Sequence, residues 1–279
     1  MLSILFGLLA AVSWGTGDFA GGLSSRQIGA YSAVFFAEVI GLVCLIASVP
    51  IVREPLPPLN VWVFSLAAGG LGVLGLVFLY QAMTVGQMSI AAPVSALLAV
   101  ALPILIAAFT EGLPGAFQLS GFGFALAAVW LVSQKDGDER PHLERLSDLR
   151  LPLFAGLGFG LFFVLINQAS TQATLWPLLL SRTGGVLTLL VIILIRRSPI
   201  RMVRKALPYV LVNAVLDLSA NLFYIFAGQA GRMDVAAVLS SLYPGGTAIL
   251  AWLILKERIS RAQTLGILSA LVAIALMTI

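Results

Sequence analysis

The chain has 279 residues, 60% of them hydrophobic, 10% charged, and a net charge of +4. A soluble domain carries about 25% charged residues, so this composition and a mean hydropathy of +1.04 exclude a soluble globular protein and call for bilayer-spanning helices. One cysteine (Cys44) and one histidine (His142, in a charged stretch) exclude an intramolecular disulfide and a zinc or haem ligand set, so neither metal nor cofactor is expected.

Ten spans are predicted in chain order, at about residues 2–23, 30–51, 60–82, 88–109, 116–133, 152–172, 176–195, 206–228, 233–254 and 261–279. Each is near the ~20 residues that a bilayer core demands. No basic n-region precedes the first run, which therefore reads as a mature helix and not as a secretory signal. Connections are short except for one charged stretch between the fifth and sixth spans. The expected organisation is residues 1–134, a cytoplasmic linker at 135–150, and residues 151–279.

The two sides of that linker repeat each other. Shifted by 145 positions, Ala82 meets Ala227, Gly86 meets Gly231, Met88 meets Met233, Ser95 meets Ser240, Gln118 meets Gln263 and Gly121 meets Gly266. Span 1 falls on span 6 with a shift of 149, pairing Trp14 with Phe163 and Asp18 with Asn167. Span 2 falls on span 7 with a shift of 144, pairing Glu38 with Arg182 and Gly41 with Gly185. An odd number of spans per repeat inserts the halves upside down relative to each other, the pattern of transporters that enclose a mid-membrane site.

Loop charge predicts the orientation. Thirteen basic residues lie in connections 1–2, 5–6, 7–8 and 9–10, and the opposite side holds Arg53 and Arg232. The positive-inside rule then puts both termini outside the cytoplasm. No Lys/Arg-rich stretch is interleaved with aromatics, so the basic balance does not indicate nucleic acid.

Three short motifs in order carry a family resemblance. They are Trp14-Gly15-Thr16-Gly17-Asp18-Phe19 in span 1, Ala91-Ala92-Pro93 opening span 4, and Lys256-Glu257-Arg258 followed by Gln263 and Gly266 at the last hairpin. With the duplication, the chain resembles ten-helix EamA-type members of the drug/metabolite transporter superfamily. The resemblance implies an all-α membrane protein of two inverted five-helix repeats around a central cavity, lined mainly by spans 1, 3, 4, 6, 8 and 9. It also implies export of amino acids, other metabolites or drugs, from a bacterial inner (cytoplasmic) membrane. Many relatives keep their termini in the cytoplasm, which the charges here oppose. The hairpin acid of the first repeat is present as Glu111, without its usual basic neighbour.

Ionisable groups at membrane depth need a reason to be there. Asp217 shares one helical face with Asn213, Asn221 and Tyr224, a polar stripe that must meet protein or a hydrated cavity. It reads as a binding surface for a cationic group or a proton, or as an interhelical hydrogen-bond network. Asp18 has a symmetry partner, Asn167, that cannot titrate, which makes it a candidate for proton coupling or else a helix-end acid paired with Arg26. Glu38 and Arg182, of opposite sign at matching positions, suggest a pair across the repeats or separate partners. Arg182 is also a candidate for a substrate anion. Pro93 and Pro103 in span 4 and Pro244 in span 9 predict helix breaks at the site, near Ser95, Ser240 and Tyr243; Trp14 and Tyr80 are candidate walls.

Gly70-Leu71-Gly72-Val73-Leu74-Gly75 satisfies the dinucleotide fingerprint but lies inside an apolar span, so close helix packing is expected instead. No phosphate-binding P-loop appears, and the serines in the spans have no histidine at depth to activate them, so no enzyme is expected. The rival readings are a lipid-linked sugar flippase, an intramembrane enzyme and a non-transporting sensor. The expected partners are a small-molecule substrate, the lipid bilayer, protons and, through small-residue faces on spans 5 and 10, a second copy of the chain.

Overall fold

A computed structural model describes residues 1–84, 88–132, 150–171, 173–255 and 260–278; within these, side chains are described except at 80–84, 88–93, 132, 247–249, 251, 252, 255 and 278. The predicted linker lies almost wholly outside the described residues, as do the side chains of Tyr80 and Pro93.

Helices are the regular structure of the described residues, with no strand among them. The helices are α1 (Leu2–Ile28), α2 (Ala30–Val52), α3 (Leu59–Thr84), α4 (Met88–Thr110), α5 (Ala116–Val132), α6 (Arg150–Ala169), α7 (Leu175–Arg196), α8 (Leu207–Gln229), α9 (Met233–Ser240), α10 (Tyr243–Leu255) and α11 (Arg261–Thr278). They match the ten predicted spans within a few residues, the ninth being split into α9 and α10. Among the described residues, six helices are long and apolar enough to cross a bilayer on length and composition alone.

Span 9 is interrupted at Ser241-Leu242, just before Pro244. Span 4 corrects the expectation of a matching break, because α4 runs unbroken through Pro103. A proline at 103 deprives the Ala99 carbonyl of its intrahelical N–H. Gly160 of α6 packs directly against that carbonyl (a Cβ there would lie 3.1 Å from the oxygen), so a neighbouring helix covers the freed group.

Packing follows membrane rules. Lipid tails are as apolar as leucine, so helices associate through small residues that let backbones approach. In α1 the buried face is Ser3, Gly7, Ala10, Gly17, Ala20, Gly21 and Ser24, while Leu2, Leu5, Leu9 and Val12 face outward. The Gly70–Gly75 motif does the same work. Gly72 lies against the ring of Phe162, and Gly75 against the Ala155 carbonyl and Phe159. Next to it, a Cβ on Gly69 would fall 1.7 Å from the Ser181 carbonyl oxygen of α7.

The pairing scheme is symmetric. α1 packs along α8 and α3 along α6; α4 packs on α6, and α9 and α10 pack on α1; α3 meets α7 and α2 meets α8. Each of these pairs becomes its companion when the halves are exchanged. Two further contacts, α2 with α7 and α5 with α11, map onto themselves. Both run antiparallel: Val34 clusters with Leu189 and Ile193 while Gly41 faces Arg182, and Gly121 near the start of α5 meets Ala273 and Met277 near the end of α11. Equivalent helices that pack antiparallel define inverted halves. The Gly121 face of span 5 is thereby used within the chain.

Gly69→Val should lower stability in detergent micelles by at least ~1–3 kcal/mol, since a backbone carbonyl cannot yield to the new side chain. Gly123→Ala, where nothing lies within 4 Å of the added carbon, should melt with the parent protein. Thermal unfolding of the two variants checks this.

Candidate functional site

The inverted halves enclose a cavity of about 200 Å³ whose wall is drawn from α1, α2, α3, α4, α6, α7, α8 and the α9–α10 break. α2 and α7 therefore join the wall, beyond the six spans expected. The polar lining is Asp18, Glu38, Ser181, Arg182, Asn213, Asp217, Asn221, Ser241 and Tyr243, and the aromatic lining is Trp14, Phe159, Phe162 and Phe163.

Arg182 is the hub. It is buried, at 6% exposure. Its Nη1 donates to Glu38 Oε1 at 2.6 Å, and its Nη2 donates to Asp217 Oδ2. Trp14 Nε1 donates to the other Asp217 oxygen at 3.0 Å. Asn221 Nδ2 donates to the Asp217 backbone carbonyl at 2.7 Å and reaches Oδ2 at 3.4 Å. One guanidinium thus ties α2 to α7 and α8, and the indole adds α1. The planar fork of arginine suits two carboxylates on different helices.

Glu38 and Arg182 are repeat equivalents, and so are Trp14 and Phe163, whose rings lie 5.7 Å apart at 52°. Equivalent positions can touch only near the axis relating the halves, so the network sits at the centre. The glycines three residues on complete the geometry. A Cβ on Gly41 would lie 3.5 Å from Arg182 Nε, and one on Gly185 would lie 3.3 Å from Glu38 Oε2. Each glycine leaves room for the charged head from the opposite half. Gly17 and Gly21 likewise admit Asn213, bringing α8 close enough to α1 to put Asp18 and Asp217 on one wall.

Asp18 is exposed into the cavity and has no hydrogen-bond or ion-pair partner among the described residues, Arg26 included. The other candidates divide. Trp14, Arg182, Asn213, Asp217, Asn221 and Tyr243 line the cavity. Tyr224 does not. It is fully buried behind the wall, donating its hydroxyl to the Phe163 carbonyl at 3.1 Å with the rings 4.8 Å apart. Ser95 is buried and donates to the Pro152 carbonyl at 3.1 Å. Ser240 is buried at the end of α9, its hydroxyl unpartnered among the described residues, while Asn167 stands against Gly228 away from the wall. The sequence did not mark Ser181, Phe159 or Phe162 as wall residues. A phenylalanine in a membrane helix carries no sign of whether it faces lipid or a cavity.

At the end of the bundle carrying the 2–3, 4–5, 6–7 and 8–9 connections, the halves are knitted together. Glu54 accepts from the Thr174 and Trp176 amides at 2.7 and 2.9 Å, capping α7, and Trp176 Nε1 returns a bond to the Glu54 carbonyl. Glu111 accepts from the Met233 amide at the start of α9. Arg232 donates to the Glu111 and Gly112 carbonyls while pairing with Asp234 at 2.7 Å. Carboxylates at helix N-termini are electrostatically well placed. Glu111 thus bridges to the second half, and that contact accounts for its place in a hairpin without a basic neighbour.

Inverted helical halves around a polar, charged central cavity define a membrane transporter. The family comparison agrees: the model of the EamA-like transporter family matches residues 1–134 and 149–279, and the chain belongs to that family. It is accordingly a multi-pass membrane transporter of small molecules. An uncharacterized protein of Methanocaldococcus jannaschii is 30% identical over 122 residues, covering 44% of this chain and 88% of that one. That relative is about half as long as the present chain. One crystal structure of a protein superposes with a TM-score of 0.81 at 17% identity, over 99% of this chain and 96% of the other, a likeness of fold.

Arg182→Gln leaves two half-buried carboxylates near each other without their counter-charge and should cost up to about 3 kcal/mol of stability. Glu38→Gln should cost clearly less, because Asp217 still balances the arginine. Melting curves that rank the two variants the other way would contradict the assignment of Arg182 as the hub.

Proposed function

We propose that the chain is a secondary transporter that exports a small metabolite by alternating access, with Asp18 as the site of proton coupling. The observation that carries this is the central cavity, charged and polar on its wall, at the junction of two inverted halves that are latched at one end. A rocking motion about such a centre exposes the same residues to either side in turn.

The same distribution of charge supports an orientation. The end of the bundle where α1 and α3 finish and α2, α6 and α8 begin carries Arg26, Arg150, Arg196, Arg197, Arg201, Arg204 and Lys205. We place it in the cytoplasm of a bacterial cell, with both termini outside. The lining residues Asp18, Val34, Leu76, Leu79 and Asn213 belong to the halves of their helices nearer that end. The latched end, with Glu54, Glu111 and Arg232, then faces outward, and the conformation is inward-facing, ready to load from the cytoplasm as an exporter must. The flippase reading finds less support. The groove beside the α9–α10 break, between α1, α5 and α11, is lined by Leu8, Val12, Val129, Leu271 and other apolar residues, with no charged side chain to hold a sugar phosphate among the described residues.

In proteoliposomes carrying a pH gradient, a panel of labelled amino acids, amines and sugar phosphates should yield one class that accumulates above protein-free vesicles. At saturating substrate, Asp18→Asn should lose the response of that class to the gradient. An unchanged pH response removes Asp18 as the coupling residue. The orientation is tested in a Cys44→Ala background, where Gly115→Cys should react with an impermeant maleimide on intact cells and Arg201→Cys only after permeabilisation. The reverse pattern inverts the topology.

A further inference from the structure

We propose that the central cavity selects an organic cation, an ammonium group held at Asp18 within an aromatic wall; this rests on the transport reading and names its substrate class. The first argument is the charge of the wall. Three carboxylates, Asp18, Glu38 and Asp217, face one guanidinium. Arg182 is already satisfied on both sides of its fork. A substrate carboxylate or phosphate would have to displace two protein carboxylates to reach it, so the arginine serves the protein and not an anionic ligand. That removes the anion-binding role the sequence left open for it.

The second argument is Asp18 itself. Asp217 has Arg182, Trp14 and Asn221 as partners, and Glu38 has Arg182. Asp18 alone among these acids is exposed to the cavity with no partner among the described residues. A carboxylate at membrane depth calls for a counter-charge, and the ligand can supply it. The third argument is the wall one turn away. Trp14 lies four residues before Asp18, and Phe159, Phe162 and Tyr243 share the cavity. Aromatic faces attract a cation, tryptophan most strongly, and they tolerate an alkylated ammonium that cannot donate hydrogen bonds. A ligand bearing both charges fits poorly, because the wall offers its carboxylate no free donor of positive charge among the described residues.

The test uses the full chain in detergent and four probes that share a phenyl ring and differ in charge: benzyltrimethylammonium, 2-phenylethanol, phenylacetate and phenylalanine. Calorimetry should show benzyltrimethylammonium binding at least tenfold tighter than the other three. Asp18→Asn should weaken it at least tenfold without lowering the melting temperature, since Asp18 holds no structural bond, and Asp18→Glu should restore most of it. Equal binding of the four, a preference for phenylacetate or phenylalanine, or Asp18→Asn binding like the parent overturns the proposal; the last of these is the outcome if Asp18 serves protons alone. Counterflow of an anion or a neutral solute in proteoliposomes would keep the transport reading and refute the cation site. Cation binding without movement across the bilayer would keep the site and refute transport.

Discussion

A guanidinium cannot rest inside a bilayer protein without partners, and the architecture is arranged around meeting that need for Arg182. Its two carboxylates come from different helices and different halves, Glu38 on α2 and Asp217 on α8. Desolvating such a group costs several kcal/mol, and removing one partner from a buried pair is far worse than never having built it. The pair is therefore better understood as fixing how the halves meet than as adding net stability. Trp14 extends the same constraint to α1 through its bond to Asp217.

The rest of the packing makes that meeting geometrically available. Glycines at 41 and 185 clear space for the two charged heads. Those at 69 and 184 bring α3 and α7 into backbone contact, and those at 17 and 21 draw α8 onto α1. In lipid, bulky side chains gain nothing by turning inward, so the small residues set the distances between helices. The cavity is what remains where aromatic and charged side chains keep the helices apart near the centre. At the opposite level Glu54 and Glu111 cap helices of the second half and close that end.

Much of this was legible in the sequence, for identifiable reasons. Spans are long and carry at most a single charge in their interiors, so their number and limits read directly. The inversion followed from counting five spans per repeat, and the antiparallel contacts of α2 with α7 and α5 with α11 agree with it. Opposite charges at equivalent positions suggested the Glu38–Arg182 pair, but whether equivalents touch depends on their distance from the axis, which a linear sequence does not carry. Tyr224 shares a helical face with Asp217, yet a face is wider than a cavity mouth, and its ring turns into the Phe163 packing instead. Pro103 looked like a helix break, but α4 continues through it, and the glycine that covers the freed carbonyl lies on another helix.

The most direct test of the account is a double-mutant cycle between Glu38 and Arg182, built from Glu38→Gln, Arg182→Gln and the double variant, with unfolding followed in micelles. Groups in direct contact couple by about 0.5–3 kcal/mol, whereas independent sites add within ~0.5 kcal/mol. The account predicts coupling in the upper half of that range, with the double variant more stable than the arginine variant alone. Simple additivity would contradict it, because the halves would then not be joined through this arginine.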